Sequence, residues 1–386
     1  MFKSYRVGTV YGIPLRLDIT FLLVLPVFVW IIGSQVAEIA PLINRTFGAD
    51  VAVDELTGGG REWVIGTVAA VGLFACVMLH ELGHAAVALR YGYEVESITL
   101  WLLGGVAKPA ELPRDWGHEF LIAVAGPTVN VVIVAVCALL LVVVPPLDVA
   151  VFLLLYLAML NITLIVFNML PAFPLDGGRV LRALLARSRS YVKATRQAAT
   201  VGKGMAVVLG LFGVLTLNFI LAAIALFIYI AAASETRQMM LDAAFDGVDV
   251  DAVMTPAAEL QTVRSTLELS DLLDVMLEQR HQGYPVVDDS TFVGIVTLSD
   301  VQSAGPEDQV VADVLTPAEE LETVRPGDGV MDAFESLGKN DIGRLPVVDD
   351  DGSLQGLLTR TDLMRAFRIA TEQRRFEEEF SEPLEV

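Results

Sequence analysis

The stretch MLHELGHAAVAL (78–89) places His80, Glu81 and His84 inside a run, 63–89, that is otherwise apolar enough to cross a lipid bilayer. An ionisable side chain at membrane depth is costly, and by default it is functional. Here three fall within five positions. On a helix, residues four apart share a face, so His80 and His84 can reach one metal ion while Glu81 stands beside it. On a soluble helix the same HExxH pattern would as easily be a salt-bridged, solvated face. Within a span that alternative loses its solvent.

Working outward, further apolar runs cover 19–37, 120–144, 149–175 and 204–234. The last is too long for one span of about 20 residues. A break at TLN (216–218) predicts two tightly joined helices there, giving six spans; without the break there are five. Orientation follows from basic residues in the short flanks. Lys3, Arg6 and Arg16 precede the first span, and Lys108 and Arg114 separate the second from the third. Arg179, Arg182, Arg187, Arg189, Lys193 and Arg196 follow the fourth. All three clusters share one side if the N-terminus is cytoplasmic, and six spans then return the C-terminal half to the cytoplasm. The first run is long and has no small-residue cleavage site, so it reads as a span and not as a cleaved signal.

Composition divides the chain in the same way. The 386 residues carry a formal charge of −21 and a mean hydropathy of +0.59. Residues 235–386 hold 33 acidic and 11 basic side chains, a net of −22, whereas the first 234 hold 14 and 15, a net of +1. A near-neutral apolar half followed by an acidic half is the pattern of a membrane domain joined to a soluble one. The acidic half would repel phosphate, which excludes nucleic acid as a partner. Lysine is scarce, at positions 3, 108, 193, 203 and 339 only. A carboxylate-rich, lysine-poor surface suits a protein kept soluble at very high salt, as in a halophilic archaeon. Cys76 and Cys137 lie in apolar runs without a CxxC pattern and read as packing residues.

Between the second and third spans, the alternation from Ile98 to Leu103 and the Gly104-Gly105 pair predict strand and turn. Irregular backbone at membrane depth is tolerated only where protein buries it or it lines a wet cavity. After the fourth span comes NMLPAFPLDGGRVL (168–181), in which Pro171 and Pro174 break the helix so that Asp176 can turn inward. Taken alone, LDGG would be an ordinary interfacial turn. By the topology above, however, the second and fourth spans run in the same direction, and HELGH and Asp176 lie toward their cytoplasmic ends. A zinc site of His80, His84 and Asp176 is therefore expected, with Glu81 as general base toward a zinc-activated water.

HELGH, AGPTVN (125–130) and NMLPAFPLDGG (168–178), in this order, resemble the site-2 protease family of intramembrane zinc metalloproteases over essentially all of 1–234. The resemblance implies cleavage of a membrane-spanning protein substrate within the lipid bilayer, with one Zn2+ per chain. It also implies a transition-state role for Asn168, which suits an amide donor to a developing oxyanion. LWLLGGVA (100–107) resembles the family's membrane-edge strand, a place to hold an unwound substrate by strand addition. GIPLRLD (12–18) resembles the segment leading into the first span, but many relatives carry His where this chain has Asp18, and no role is assigned to it. His118, at the start of the third span, reads as an interfacial or capping residue.

The acidic half contains a repeat. VMTP (253–256) recurs as VLTP (314–317), GYPVVDD (283–289) as GRLPVVDD (343–350), and GIVTLSD (294–300) as GLLTRTD (356–362). The copies resemble a tandem pair of cystathionine-β-synthase-type (CBS) modules packed as one pseudo-symmetric α/β unit. The resemblance implies an adenosine nucleotide, of the ATP or AMP type, between the repeats. Asp300 and Asp362 would accept from ribose hydroxyls while Thr297 and Thr359 face phosphates. The same residues are equally a good N-cap opening a helix. The resemblance also implies a surface through which two chains could pair as a homodimer.

The expected architecture is thus a polytopic α-helical membrane domain followed by a soluble α/β tandem CBS pair. Its parts are a metalloprotease domain at 1–234 with a short membrane-edge strand, a linker at 235–247, repeats at 248–306 and 307–370, and a frayed charged tail at 371–386. The expected location is the cell membrane, with the N-terminus and the CBS modules cytoplasmic. The expected function is an intramembrane zinc endopeptidase whose substrate access is regulated by nucleotide. Two other functions fit parts of the pattern: a nucleotide-gated transporter or channel, with His and Asp lining an ion path, and a catalytically dead scaffold that keeps zinc for structure.

Overall fold

The computed structural model describes residues 4–101, 104–109, 113, 115–245, 247–289, 291–305, 309–340 and 342–380. The chain divides into two compact units, Met1–Arg237 and Gln238–Val386.

The first unit opens with a hairpin, β1 (Ser4–Val10) and β2 (Ile13–Asp18), followed by α1 (Ile19–Phe47) and a short α2 (Val53–Leu56). Then come α3 (Arg61–Arg90), a second hairpin of β3 (Val95–Trp101) and β4 (Gly104–Pro109), α4 (Trp116–Val143) and α5 (Asp148–Asn168). A short α6 (Asp176–Ala186) precedes α7 (Tyr191–Leu215) and α8 (Phe219–Ala244). Among the described residues six helices are long and apolar enough to span a membrane: α1, α3, α4, α5, α7 and the Phe219–Asp242 part of α8. The break at TLN is a turn in which Leu217 takes φ 54° and the Asn218 N–H donates to the Gly213 carbonyl at 2.8 Å.

Polar residues close the ends of these helices. The Asp18 carboxylate caps α1, accepting from the Thr20 N–H at 2.9 Å and the Thr20 hydroxyl at 2.7 Å. The backbone donor, with the hydroxyl, holds the Asp18 carboxyl below the usual carboxylate range. Asp115 caps α4 through the His118 N–H at 2.9 Å, and the His118 ring stacks on Tyr91 with centroids 4.3 Å apart. Ile32, Val36, Ala40 and Ile43 of α1, Ile65, Ala69 and Ala70 of α3, and Phe152, Leu155 and Tyr156 of α5 form the main core. Cys76 and Cys137 are buried and free.

The four strands form one sheet in the order β1-β2-β3-β4. β2 runs parallel to β3, with Leu15, Arg16 and Leu17 opposite Ile98, Thr99 and Leu100. This sheet packs on α3 through β3 and β4, and β4 is one of its two edges. Sequence reading expected a strand only near 98–103. The strand is present as β3, but Gly104 and Gly105, expected as a turn, begin β4 and pair with Trp101 and Leu100; Leu102 and Leu103 lie outside the described residues, and the N-terminal hairpin has no counterpart in the expectation. β1 is mostly exposed and reads SYRVGTV, without a clean alternation of apolar and polar residues.

Three expected boundaries shift. α5 ends at Asn168, because Pro171 and Pro174 make 169–175 irregular before α6 begins. The stretch 235–247, expected as a linker, is helical to Ala244. It reads ETRQMMLDAA before the first glycine, all of it compatible with helix. The tail, expected to fray from 371, continues the last helix to Phe380, where Glu, Gln and Arg are strong helix formers.

The second unit holds β5 (Thr255–Pro256), α9 (Leu269–Gln279), β6 (Gly283–Asp288), β7 (Thr291–Thr297), α10 (Leu298–Gln302) and α11 (Val311–Val314). It continues with β8 (Thr316–Pro317), α12 (Val330–Lys339), β9 (Arg344–Val348), β10 (Leu354–Thr359) and α13 (Arg360–Phe380). The repeats interlock. β5, from the first copy, pairs with β10 of the second, and β8, from the second, pairs with β7 of the first. The isolated bridges Val263 to Val286 and Val324 to Val347 repeat the same internal symmetry.

Candidate metal centre

His80 and His84 occupy one face of α3, as their spacing dictates, and both are buried. The first residue of α6, Asp176, reaches the same point, with Oδ2 at 3.1 Å from His80 Nε2 and Oδ1 at 3.3 Å from His84 Nε2. The two Nε2 atoms are 3.1 Å apart. His80, His84 and Asp176 form the candidate metal-holding group found among the described residues.

The remaining hydrogen bonds decide what this group needs. His80 Nδ1 faces the Asn130 carboxamide oxygen at 3.1 Å, and His84 Nδ1 faces the Ile122 carbonyl at 2.7 Å. Both partners are acceptors, so each Nδ1 donates to them, and the tautomer that this selects turns an Nε2 lone pair inward. Two imidazole nitrogens and a carboxylate thus converge in a buried space, an arrangement that a bound cation makes favourable. The donor set, two imidazoles and a carboxylate, is that of a catalytic zinc site, which keeps its fourth position open. Zinc–ligand bonds of about 2.0–2.1 Å imply tetrahedral donor separations of about 3.3 Å, close to those seen.

Glycine makes room for the centre. A β-carbon at Gly126 of α4 would stand 2.7 Å from His80 Nε2 and closer still to His84 Nε2. Helix α4 therefore walls the donor cluster with bare backbone. Glu81, half-buried, lies under the edge strand: a β-carbon at Gly105 of β4 would be 3.0 Å from its Cδ and 3.1 Å from its Oε1. The strand expected near a substrate is thus laid directly on the expected general base. Asn168, half-buried, is the last residue of α5. The backbone after it, at Met169 and Leu170, is in direct contact with Gly177, next to Asp176.

Sequence reading brought together His80, Glu81, His84 and Asp176 but gave no part to Asn130. A fully buried carboxamide in an otherwise uncharged span, four residues after Gly126, was the available signal.

In the second unit, Thr297 and Thr359 open α10 and α13. Their hydroxyls and N–H groups donate to Asp300 and Asp362, at 2.7 and 2.7 Å in the first copy and 2.6 and 3.1 Å in the second. The helix-capping role is therefore realised in both repeats. All four bonds fall on Oδ2, leaving each Oδ1 free of the cap. The Arg344 guanidinium lies against Gly283. Burial lowers its pKa, and the nearby Asp300 charge opposes the shift.

Residues 68–150 and 146–211 match Peptidase family M50, and residues 250–307 and 311–369 match the CBS domain. Zinc metalloprotease MJ0392 of Methanocaldococcus jannaschii is 34% identical over 369 residues, covering 95% of this chain and 96% of that protein. The solved structure of a site-2 protease from the same organism is 35% identical, covers 61% of this chain and 96% of its own, and superposes with a TM-score of 0.42. A crystal structure of CBSX2 in complex with AMP is 33% identical over 33% of this chain and 99% of its own, with a TM-score of 0.29.

Proposed function

The chain belongs to peptidase family M50 and is a multi-pass zinc metalloprotease with a CBS pair, and from that premise we propose that it is an intramembrane endopeptidase cutting membrane-spanning segments of other proteins. The observation that carries this reading is the convergence of His80, His84 and Asp176, with Glu81 beside them, on helices of a membrane domain.

His80, His84 and Asp176 would hold the zinc. When bound, zinc supplies a Lewis acid and a water that ionises near neutral pH. Glu81 takes the proton of the attacking water and returns it to the leaving amine. The Asn168 carboxamide donates to the oxyanion that develops on the substrate carbonyl. Asn130 and the Ile122 carbonyl keep both imidazoles in the Nδ1–H form, so that their Nε2 lone pairs stay aimed inward. A peptide bond in a helix is shielded by its own hydrogen bonds, so the substrate must unwind. The outer edge of β4, unpaired among the described residues, offers its backbone groups new partners, without which an unwound segment would be prohibitively costly in lipid.

Purified chain is expected to hold one zinc and to cleave a model single-span protein, and Asp176→Asn to lose most of that metal. Zinc analysis with a gel-based cleavage assay checks both. A wild-type chain that is metal-free and inert after zinc addition sinks the reading.

From the basic flanks we further infer that the N-terminus and the CBS unit face the cytoplasm. There we infer that an adenosine nucleotide uses the uncommitted Oδ1 atoms of Asp300 and Asp362 for its ribose, and that its binding alters substrate access. ATP, AMP or S-adenosylmethionine is expected to raise the thermal stability of the full chain and to change its cleavage rate. If none of the three moves either quantity, the nucleotide role is wrong.

A further inference from the structure

Among the described residues Arg182 is the largest fully buried side chain, and it has no part in the chemistry above. It lies on α6, six residues after Asp176 and on a different side of that helix. Its Nε donates to Glu119 Oε1 of α4 at 2.6 Å, with its second terminal nitrogen 2.5 Å from the same oxygen. Its other terminal nitrogen donates to Glu235 Oε1 of α8 at 2.9 Å. The Phe173 and Tyr191 rings flank the guanidinium, each centroid 5.0 Å from Cζ. Glu119 is as buried as Arg182, whereas the Glu235 side chain is 31% exposed.

We propose that Arg182, held by Glu119 and Glu235, is a positioning residue that fixes the rotation of α6 and thereby places the Asp176 carboxylate in the metal site. This rests on the zinc reading above. α6 has only 11 residues and starts at Asp176, so no preceding helical turn steadies the carboxylate. A side chain stands roughly 5–6 Å from a helix axis, so a turn of about 20° would displace the carboxylate by roughly 2 Å. Arginine suits the task because its planar fork engages two carboxylates in fixed directions, which a lysine cannot do. Removing one partner would strand a buried charge. Removing both members of the buried pair tests position without that penalty.

The test compares the parent with Arg182→Met/Glu119→Gln, with Glu235→Gln, and with Phe152→Leu, a core change among α1, α3 and α5. Each full-length protein is purified in detergent. Zinc affinity is read by competition with a chromogenic chelator, thermal stability is read on the zinc-free form, and kcat and KM are read at saturating zinc. The double variant is expected to bind zinc about ten-fold more weakly or worse, the range typical of groups that orient ligands. Its kcat should fall similarly at an unchanged KM. Glu235→Gln, at the exposed end, should keep the fold and weaken zinc about three-fold, a smaller effect of the same kind. Phe152→Leu should lower the melting temperature but not the zinc affinity.

Zinc affinity in the double variant within two-fold of the parent overturns the proposal. So does an equal loss of affinity in Phe152→Leu. If the double variant does not fold, unchanged affinity in Glu235→Gln overturns it. A parent that binds no zinc sinks the zinc reading together with this one.

Discussion

Glu81→Gln is expected to retain one zinc per chain and to lose cleavage of a single-span substrate by about 10³-fold, within the range removed with a positioned general base. Gln keeps the length and shape of Glu, so its packing against Gly105 and the edge strand survives. What it lacks is an oxygen able to take a proton and return it. The metal is unaffected because the donors are His80, His84 and Asp176, whose mutual distances do not involve Glu81. Single-turnover cleavage with parallel zinc analysis distinguishes the outcomes. Activity within ten-fold of the parent would remove Glu81 from the chemistry, and loss of zinc would make it a metal-site residue instead.

Gly126→Ala should abolish metal binding and cleavage together. The added methyl would fall between the two imidazoles, 2.7 Å from His80 Nε2, and the imidazoles are themselves tied to Asn130 and Ile122. Zinc and the methyl cannot share that space, and activity should fall by at least about 10²-fold, as displacements of about 1 Å at reacting groups do. The helix itself should not suffer, because alanine is the better helix former by about 1 kcal/mol. Gly204→Ala, on α7 where a β-carbon meets nothing within 4 Å, is the matched control and should leave zinc and activity intact. A Gly126→Ala protein that still holds zinc would show that α4 does not wall the metal.

The centre was legible because its chemistry compresses into short words. HELGH needs one turn of helix to bring its two imidazoles together, and the prolines of NMLPAFPLDGG announce the irregular backbone that lets Asp176 face inward. Arg182 was hidden by its company. Among six basic residues after the fourth span it read as a marker of membrane side, and its partners Glu119 and Glu235 are 63 and 53 residues away. The exchange of strands between the CBS copies was hidden by the repeat itself. The TP pairs of VMTP and VLTP are interchangeable, so either copy's strand would suit either copy's edge. The hairpin Ser4–Asp18 escaped notice because β1 has no buried face to enforce alternation.

The ligand order has a consequence for how the protein is made. His80 and His84 are synthesised 96 and 92 residues ahead of Asp176, and Glu235 follows 59 residues later. At about 5–20 residues per second, a nascent chain spends roughly 5–20 s with an incomplete donor set in the membrane. The brace from Arg182 closes only after the sixth span has been made. By this order the metal site can close only after the first four spans have been made, and its brace only with the sixth.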